Sequence, residues 1–253
     1  MYIHNILVLL LSLLPLNAIY AQRETAQVSE SRPFKVGILV AMEKELKLLS
    51  DYWSTDTQAG PSAVVVRLCG IGKVNAALGC ASLISEERPD VIVSFGCAGG
   101  CGEGVHVGDV VVGAAMAYHD VYCGEELEYG QVQGLPARFM SDSLLVYKVL
   151  QSASTDLQRS FHKGLIVSGD WFVDSKEKMR DIAAHFPDAM AVDMESAAIA
   201  QTCHTLGVPF VAVRVVSDVP LSDEHSSQYR DFWDNIPAQT LGIARSFVEA
   251  IFQ

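Results

Sequence analysis

The feature that most constrains the fold is the alternation of short, strongly apolar runs with helical patterns from residue 35 onward. The apolar runs lack the polar alternation of a strand with one face in water, which indicates strands buried on both faces. A sheet covered by helices on both faces is an α/β sandwich. Strands are predicted over 35–41, 63–68, 90–95, 108–114, 164–168, 189–192 and 209–216, a loop over 96–102, and helices from Glu43 and over 70–85, 141–151, 175–184, 195–206 and 227–251.

The first 21 residues form a separate compositional unit. An apolar run over 6–14 is followed by Pro15 and then by small or polar residues up to Ala21, as in a secretory signal peptide. The run is short for a membrane-spanning helix, which needs about 20 apolar residues. The first five residues contain no Lys or Arg, so an uncleaved anchor or a start assigned too far upstream stays open. We expect a signal peptide over 1–21, a polar linker over 22–33 and one domain over 34–253. The expected location is the periplasm or the medium, without stable membrane association after cleavage.

The net charge restricts the possible partners, and the cysteine content bears on disulfides and metal sites. The net charge of −12 argues against a nucleic acid as partner. A chain of 253 residues can fold without disulfide staples, so buried free thiols are expected. Cys97 and Cys101 lack a matching pair of His or Cys ligands elsewhere, which argues against a zinc site. The cysteines are Cys69, Cys80, Cys97, Cys101, Cys123 and Cys203.

Two carboxylates stand next to two strongly apolar segments, and they are the first candidates for function. Glu195 follows the predicted strand 189–192, and Asp218 follows the strand 209–216. Side chains at strand ends lie at the rim of a sheet, where open α/β folds bind ligands. Apolar surroundings can raise a carboxyl pKa toward neutrality, as an acid catalyst needs.

Two glycine-containing segments follow predicted strands. Gly70-Ile71-Gly72-Lys73 lacks the third glycine of a dinucleotide fingerprint, so we expect a tight turn rather than NAD binding. The segment 96–100 is either a plain turn or a place where the backbone approaches a sugar or an anion.

Residues at three further places in the chain have both a structural and a functional interpretation. Glu43 and Glu45 suit the first turn of a helix, where acidic residues stabilise the dipole. Phe172 is either a core residue or a platform for a flat ring. His119 and Asp120 form either a structural pair, which we favour, or an acid–base pair.

Taken together, these segments resemble the 5'-methylthioadenosine/S-adenosylhomocysteine nucleosidase family of the nucleoside phosphorylase superfamily. Each motif is weak alone, but their order and spacing agree from residue 35 to residue 252. The resemblance implies a three-layer α/β/α sandwich with a central mixed sheet, a homodimer, and no metal or cofactor. The motifs are VGILVAMEKEL, CGIGKVNAALG, FGCAGG, VGDVVV, YHD, GLIVSGDWF, FPDAMAVDMESAAIA and VPFVAVRVVSDV.

The resemblance also implies an activity and its residues. The family cleaves the N-glycosidic bond of adenine thionucleosides with water. Asp218 would protonate adenine N7, Glu45 would orient or deprotonate the attacking water, and Glu195 would bind the ribose hydroxyls. The other implied positions surround the substrate: Met194 against the sugar, Phe172 stacked on adenine with the Val173 backbone at its edge, Ile71 and Met42 in the sugar and tail pocket, Tyr229 over the 5' group, and Arg214 and Ser217 as supporting polar groups.

The chain departs from the family at three places. Cys97 stands where a serine is common, which weakens or removes a hydroxyl contact, and Asp193 replaces a common glutamate. The segment after Asp120 is one residue shorter than usual and puts Glu125 near a position that is often Phe. The choice among methylthioadenosine, S-adenosylhomocysteine and 5'-deoxyadenosine therefore stays open.

Two alternative functions stay open at this point. A phosphorylase of the same superfamily would need cationic groups for phosphate, and Ser94 stands near a position where bacterial purine nucleoside phosphorylases have Arg. An exported binding homologue without catalysis would not need the acidic set Glu45, Glu195 and Asp218.

Overall fold

In the part of the chain that the computed structural model describes, residues 32–50, 62–152, 160–235 and 237–252, eight strands are interspersed with seven helices. The expected signal peptide and the linker up to residue 31 lie outside these ranges. The strands are β1 (Phe34–Val40), β2 (Ser62–Leu68), β3 (Val91–Gly100), β4 (Val110–Tyr118), β5 (Phe139–Met140), β6 (Phe161–Ser168), β7 (Ala189–Asp193) and β8 (Phe210–Asp218). The helices are α1 (Glu43–Ser50), α2 (Lys73–Glu87), α3 (Ser143–Ser152), α4 (Lys176–His185), α5 (Ser196–Leu206), α6 (His225–Asn235) and α7 (Pro237–Phe252).

The strands form one mixed sheet. Strand β1 pairs in parallel with β2 and β3, and β6 pairs in parallel with β4 and β7. Strand β8 joins the two groups, since it runs parallel to β3 and antiparallel to β4. Strand β7 also meets β3 in antiparallel fashion at Gly99 and Gly100, so β3, β8, β4, β6 and β7 form a closed ring of pairings. The mixed sheet implied by the resemblance is therefore confirmed.

Helices cover the sheet on both faces. One core cluster packs α1, α3, α6 and α7 against the sheet, with Phe247 of α7 among its fully buried side chains. A second cluster packs α2 and α5 against the opposite side, with Leu83 and Ile199 at its centre. A smaller cluster includes Met179 and Ile182 of α4. The three layers of an α/β/α sandwich follow from these two main cores.

The prediction of a loop over residues 96–102 is wrong for most of that segment. Strand β3 continues through Gly100, because residues 96–99 pair with β8 and residues 99–100 pair with β7. The small side chains allow this close pairing on two sides. A Cβ on Gly99 would lie 2.8 Å from the Pro220 ring. Tertiary pairing therefore extends a strand that local composition would end.

The predicted terminal helix at 227–251 is two helices. Helix α6 ends at Asn235 and α7 begins at Pro237. Proline suits the first position of a helix, where its missing N–H group has no helical partner to lose. The proline therefore fits the start of α7.

The cysteines are free, but they are not all buried as expected. Cys80 and Cys203 are buried, Cys69, Cys97 and Cys101 are partly buried, and Cys123 is exposed. Cys123 lies in the irregular segment between β4 and β5, where no core element covers it.

None of the helices in the described ranges has the length and apolar content needed to cross a bilayer.

Candidate active site

The carboxyl-terminal ends of β1, β3, β7 and β8 surround a cavity of about 120 Å³ that opens to solvent. Strand ends and the residues directly after them supply most of its wall, and helix α1, the turn at Ile71, the loop 171–173 and helix α6 supply the rest. The lining residues are Ala41, Met42, Glu45, Ile71, Cys97, Ala98, Gly99, Trp171, Phe172, Val173, Val192, Asp193, Met194, Glu195, Ser217, Asp218 and Tyr229.

Glu45 lies in the first turn of α1 and is held by backbone N–H groups. The N–H groups of Ala41 and Met42 donate to its Oε2 at 2.9 and 3.0 Å, and that of Cys97 donates to its Oε1 at 3.0 Å. Burial raises the pKa of Glu45, while the Arg214 charge and these N–H groups act to lower it. The carboxylate is thus fixed at the cavity wall. The N–H donors and the Arg214 charge offset part of the cost of burying it.

Asp218 ends strand β8 and is 5% exposed. The Ser217 hydroxyl donates to its Oδ1 at 2.7 Å. Burial raises the pKa of Asp218, while the Ser217 hydrogen bond and the His225 charge oppose that rise. A raised pKa keeps the proton on this carboxyl at higher pH, which suits a general acid.

Glu195 stands directly before helix α5. The Gly72 N–H donates to its Oε1 at 2.9 Å, across 123 residues of sequence. Burial, followed by the charge of Asp193, raises the pKa of Glu195 to about 7. The second oxygen of Glu195 stays available to a ligand's hydroxyl groups.

Aromatic rings border the mouth of the cavity. Phe172 is 54% exposed, and its ring contacts Tyr229 edge-to-face at a centroid distance of 5.5 Å. Phe172 is therefore not a core residue, and one of its faces is available to a flat ring.

Comparisons with known proteins place this geometry in a family. The family model described as the phosphorylase superfamily matches residues 35–249. A 5'-methylthioadenosine/S-adenosylhomocysteine nucleosidase of Exiguobacterium sp. is 42% identical over 197 residues, which cover 73% of this chain and 84% of that protein. This chain belongs to the methylthioadenosine/S-adenosylhomocysteine nucleosidase family.

Solved nucleosidase structures have the same fold. The Neisseria meningitidis enzyme in complex with methylthio-immucillin-A is 38% identical, with a TM-score of 0.79, and the match covers 85% of this chain and 99% of that one. The Colwellia psychrerythraea enzyme in complex with adenine is 33% identical, with a TM-score of 0.79, and the match covers 86% and 96%. The nucleoside phosphorylase/hydrolase-like architecture is thereby confirmed.

In the described part of this nucleosidase-family member, a buried cation lies behind the cavity wall. Arg214 is 2% exposed and donates from Nε to Asp193 Oδ2 at 2.8 Å. Its other nitrogens donate to the backbone oxygen of Ser94 at 2.9 Å and to the Ser94 hydroxyl at 2.8 Å. Arg214 therefore supports the wall but does not line the cavity, unlike every other position predicted for the site.

Two of the lining residues that the sequence did not single out have a large or a charged side chain. Trp171 lines the cavity beside Phe172, and its signal was the aromatic pair in SGDWF. Asp193 was noted only as a departure from the family. It accepts hydrogen bonds from Arg214 and from the Ser168 and Ser196 hydroxyls, and so it anchors the turn that carries Glu195.

The predicted His119–Asp120 pair is wrong in this nucleosidase. Asp120 accepts a hydrogen bond from Lys73 Nζ at 2.7 Å, and both ring nitrogens of buried His119 lack a hydrogen-bond partner among the described residues. Lys73, the first residue of α2, attracts the Asp120 carboxylate, and the proximity of His119 in the sequence did not indicate this contact.

Two other expectations concern the pocket for the 5' substituent, near which Glu125 was placed, and metal binding. Glu125 is exposed and is not among the residues lining this chain's cavity. Within the described ranges, no group of three or more His, Cys, Asp or Glu side chains is arranged to hold a metal ion.

Proposed function

We propose that this protein hydrolyses the N-glycosidic bond of adenine thionucleosides, releasing adenine and the ribose portion. The observation that carries the proposal is the convergence of Glu45, Glu195 and Asp218 on one cavity bordered by Phe172. The proposed substrates are methylthioadenosine, S-adenosylhomocysteine and 5'-deoxyadenosine, which share adenine and ribose and differ in the 5' group.

Asp218 is the proposed general acid. It donates its proton to adenine N7 as the bond between C1' and N9 breaks, so adenine leaves as a neutral base. The raised pKa of Asp218, caused mainly by burial, supports this role, since the acid must hold a proton before the reaction. The Ser217 hydrogen bond to Oδ1 orients the carboxyl group.

Glu45 is the proposed base. Loss of adenine leaves an oxocarbenium-like sugar, and a water molecule attacks C1' from the opposite face while Glu45 takes its proton. The three backbone N–H donors that hold Glu45 support this role, because a fixed carboxylate can orient water without losing entropy at that step. No step of this mechanism uses a metal or a cofactor.

Glu195 is the proposed partner of the ribose hydroxyls, with Met194 against the sugar. The Gly72 hydrogen bond occupies one oxygen of Glu195 and leaves the other for the ribose. Arg214 acts indirectly in this proposal: it holds Asp193, whose carboxylate accepts the Glu195 N–H at 3.3 Å.

The remaining wall is assigned to the base and the 5' group. Phe172 stacks on adenine and the Val173 backbone contacts its edge, which fits the exposed ring of Phe172 at the mouth. Cys97 lies on the wall beside Glu45 and offers a thiol in place of a hydroxyl. The 5' group is bordered by Ile71, Met42 and Tyr229.

A product assay tests the hydrolysis directly. Purified protein is incubated with methylthioadenosine in buffer with and without phosphate, and adenine and the sugar product are quantified. We expect equal adenine release in both buffers and a free sugar product. Adenine release that requires phosphate would identify a phosphorylase, and absence of release would identify a binding homologue. The described residues lining the cavity include no Lys or Arg for phosphate, and Ser94 is engaged by Arg214.

The proposal includes a homodimer, supported by an apolar stripe at the start of α2. Val74 and Leu78 are 69% and 66% exposed and lie one helical turn apart, beside the half-exposed Ile71 of the cavity. A second copy covering this stripe would also narrow the cavity mouth.

The proposal also includes export, on the basis of the sequence of residues 1–21. Mass measurement of the protein from its native source tests it. A mature chain beginning at Gln22 in an extracytoplasmic fraction is the expected result, and a chain that begins at Met1 in the cytoplasmic fraction would contradict it.

A further inference from the structure

Two short segments flank the mouth of the cavity. The sugar turn, residues 70–72, carries Ile71, and the base loop, residues 169–173, carries Trp171, Phe172 and Val173. Val173 is 7% exposed and packs into a core cluster with Met179, whereas the rings of Trp171 and Phe172 are 55% and 54% exposed, so apolar burial holds the base loop only at Val173.

A polar network connects the sugar turn to the start of the base loop. The Lys73 N–H donates to Asp170 Oδ1 at 2.7 Å, and Lys73 Nζ donates to Asp120 Oδ2 at 2.7 Å. The Asp170 N–H donates to the same Asp120 oxygen at 2.8 Å, and Lys73 Nζ lies 3.8 Å from Asp170 Oδ2. Each of the three residues therefore contacts the other two.

The network is continuous with the carboxylate at the ribose end of the cavity. The N–H of Gly72 donates to Glu195, and the next N–H along the chain, that of Lys73, donates to Asp170. Consecutive peptide groups have a fixed separation, so these two bonds set the distance between Glu195 and the base loop.

Glycine is needed at position 72 for this contact. Its φ is +90°, a region that other residues rarely adopt, and a Cβ would lie 2.9 Å from Asp170 Oδ1. The turn therefore brings the backbone close enough for both carboxylates to accept from it.

We propose that Lys73, Asp120 and Asp170 form a positioning triad that holds the base loop at a fixed distance from Glu195. The inference rests on the proposed function, since the triad aligns the adenine half of a nucleoside with its ribose half. Asp170 is a positioning residue: it acts through Phe172 and Val173 and does not contact the substrate.

The partial exposure of the triad distinguishes positioning from a purely stabilising role. Side-chain exposure is 25% for Lys73, 24% for Asp120 and 48% for Asp170, and ion pairs this accessible contribute little to folding. Loss of the triad should therefore change substrate affinity and turnover more than thermal stability.

The test uses the full-length protein with methylthioadenosine as substrate and adenine as a calorimetric ligand. We expect Asp170→Ala to lower kcat/KM by about 10- to 100-fold, with a raised KM and weaker adenine binding, as a displaced binding loop would. Its melting temperature should stay near that of the wild type. Asp170→Asn should recover most of the loss, because its amide oxygen still accepts the Lys73 N–H. The exposed Asp174, which directly follows the base loop and does not line the cavity, supplies the control, and Asp174→Ala should stay within about twofold of the wild type.

Several outcomes would overturn the triad. Wild-type kcat/KM and adenine affinity in Asp170→Ala would do so, as would an equal loss in Asp174→Ala. If Asp170→Ala does not fold, Lys73→Met carries the test, because it keeps the backbone donor and removes the ammonium group. Unchanged kcat/KM and adenine affinity in that variant would then exclude the triad. Failure of the proposed function is distinguishable, since it appears as no adenine release by the wild type.

Discussion

At the scale of single residues, burial raises the pKa of three carboxyl groups in one cavity, and the neighbours that modify this rise differ from one group to the next. The Arg214 charge and backbone N–H groups act on Glu45, whereas a Ser217 hydrogen bond and the His225 charge act on Asp218. For Glu195 the nearby Asp193 charge adds to burial. These differences fit a base, an acid and a hydroxyl acceptor.

The role of Asp218 predicts the pH dependence of turnover. Because the acid must be protonated, activity should fall as the pH rises through the raised pKa of Asp218. Asp218→Asn should lower kcat by about 10²–10⁴-fold and abolish that limb of the profile. Asp231→Asn, an exposed change on α6, is the control. An Asp218→Asn profile that matches the wild type would refute the acid role.

Replacing Glu195 with a neutral residue should stabilise the protein at the expense of activity. The folded pKa of Glu195, about 7, exceeds the ordinary glutamate value of 4.5, so its contribution to stability is fully present below pH 4.5 and is lost as the pH rises through 7. Glu195→Gln can still accept the Gly72 N–H but carries no charge. Relative to the wild type, the variant should therefore gain about 3 kcal/mol in unfolding free energy between pH 4.5 and pH 8. Denaturant unfolding at the two pH values measures this gain, and a difference independent of pH would contradict it.

At the scale of elements, the strand ends were the most predictable part of the site. Apolar runs marked β1, β7 and β8, and the carboxylates after them had to lie at the sheet rim. The continuation of β3 through Gly100 was not predictable, because it depends on pairing with β7 and β8, which are distant in sequence.

Strand β3 must carry glycine where it passes Glu45. A Cβ at position 96 would lie 2.8 Å from Glu45 Oε1 and would displace the carboxylate from its N–H donors. Gly96→Ala should lower kcat/KM by about 100-fold, the cost of misplacing a catalytic group by about 1 Å. Steady-state kinetics beside a melting curve measure the effect, and full activity in a folded Gly96→Ala protein would be the contrary result.

At the scale of the whole molecule, sequence indicated the layers and most cavity residues but not the contacts behind them. Arg214 meets Ser94 across 120 residues, and Lys73 meets Asp120 across 47. Such side-chain pairs depend on sheet order, which short apolar runs do not specify. The residues of the wall were recognisable from local motifs, whereas their supporting network needed the fold.

The proposed dimer predicts which face controls assembly. The double change Val74→Glu and Leu78→Glu should convert a dimer to a monomer in light scattering, because it places charge on the apolar stripe of α2. Leu144→Glu, on the 58% exposed Leu144 of α3, should leave the dimer intact. A monomeric wild type, or dissociation by Leu144→Glu alone, would contradict the assignment.

The most direct measurement is a crystal structure with an adenine nucleoside analogue whose base is joined to the sugar by a carbon–carbon bond. The account predicts the atom at the N7 position within hydrogen-bond distance of Asp218, the ribose hydroxyls on Glu195, and Glu45 facing C1' from the side opposite the base. An analogue bound elsewhere, or bound here with its base away from Asp218 and Phe172, would contradict it.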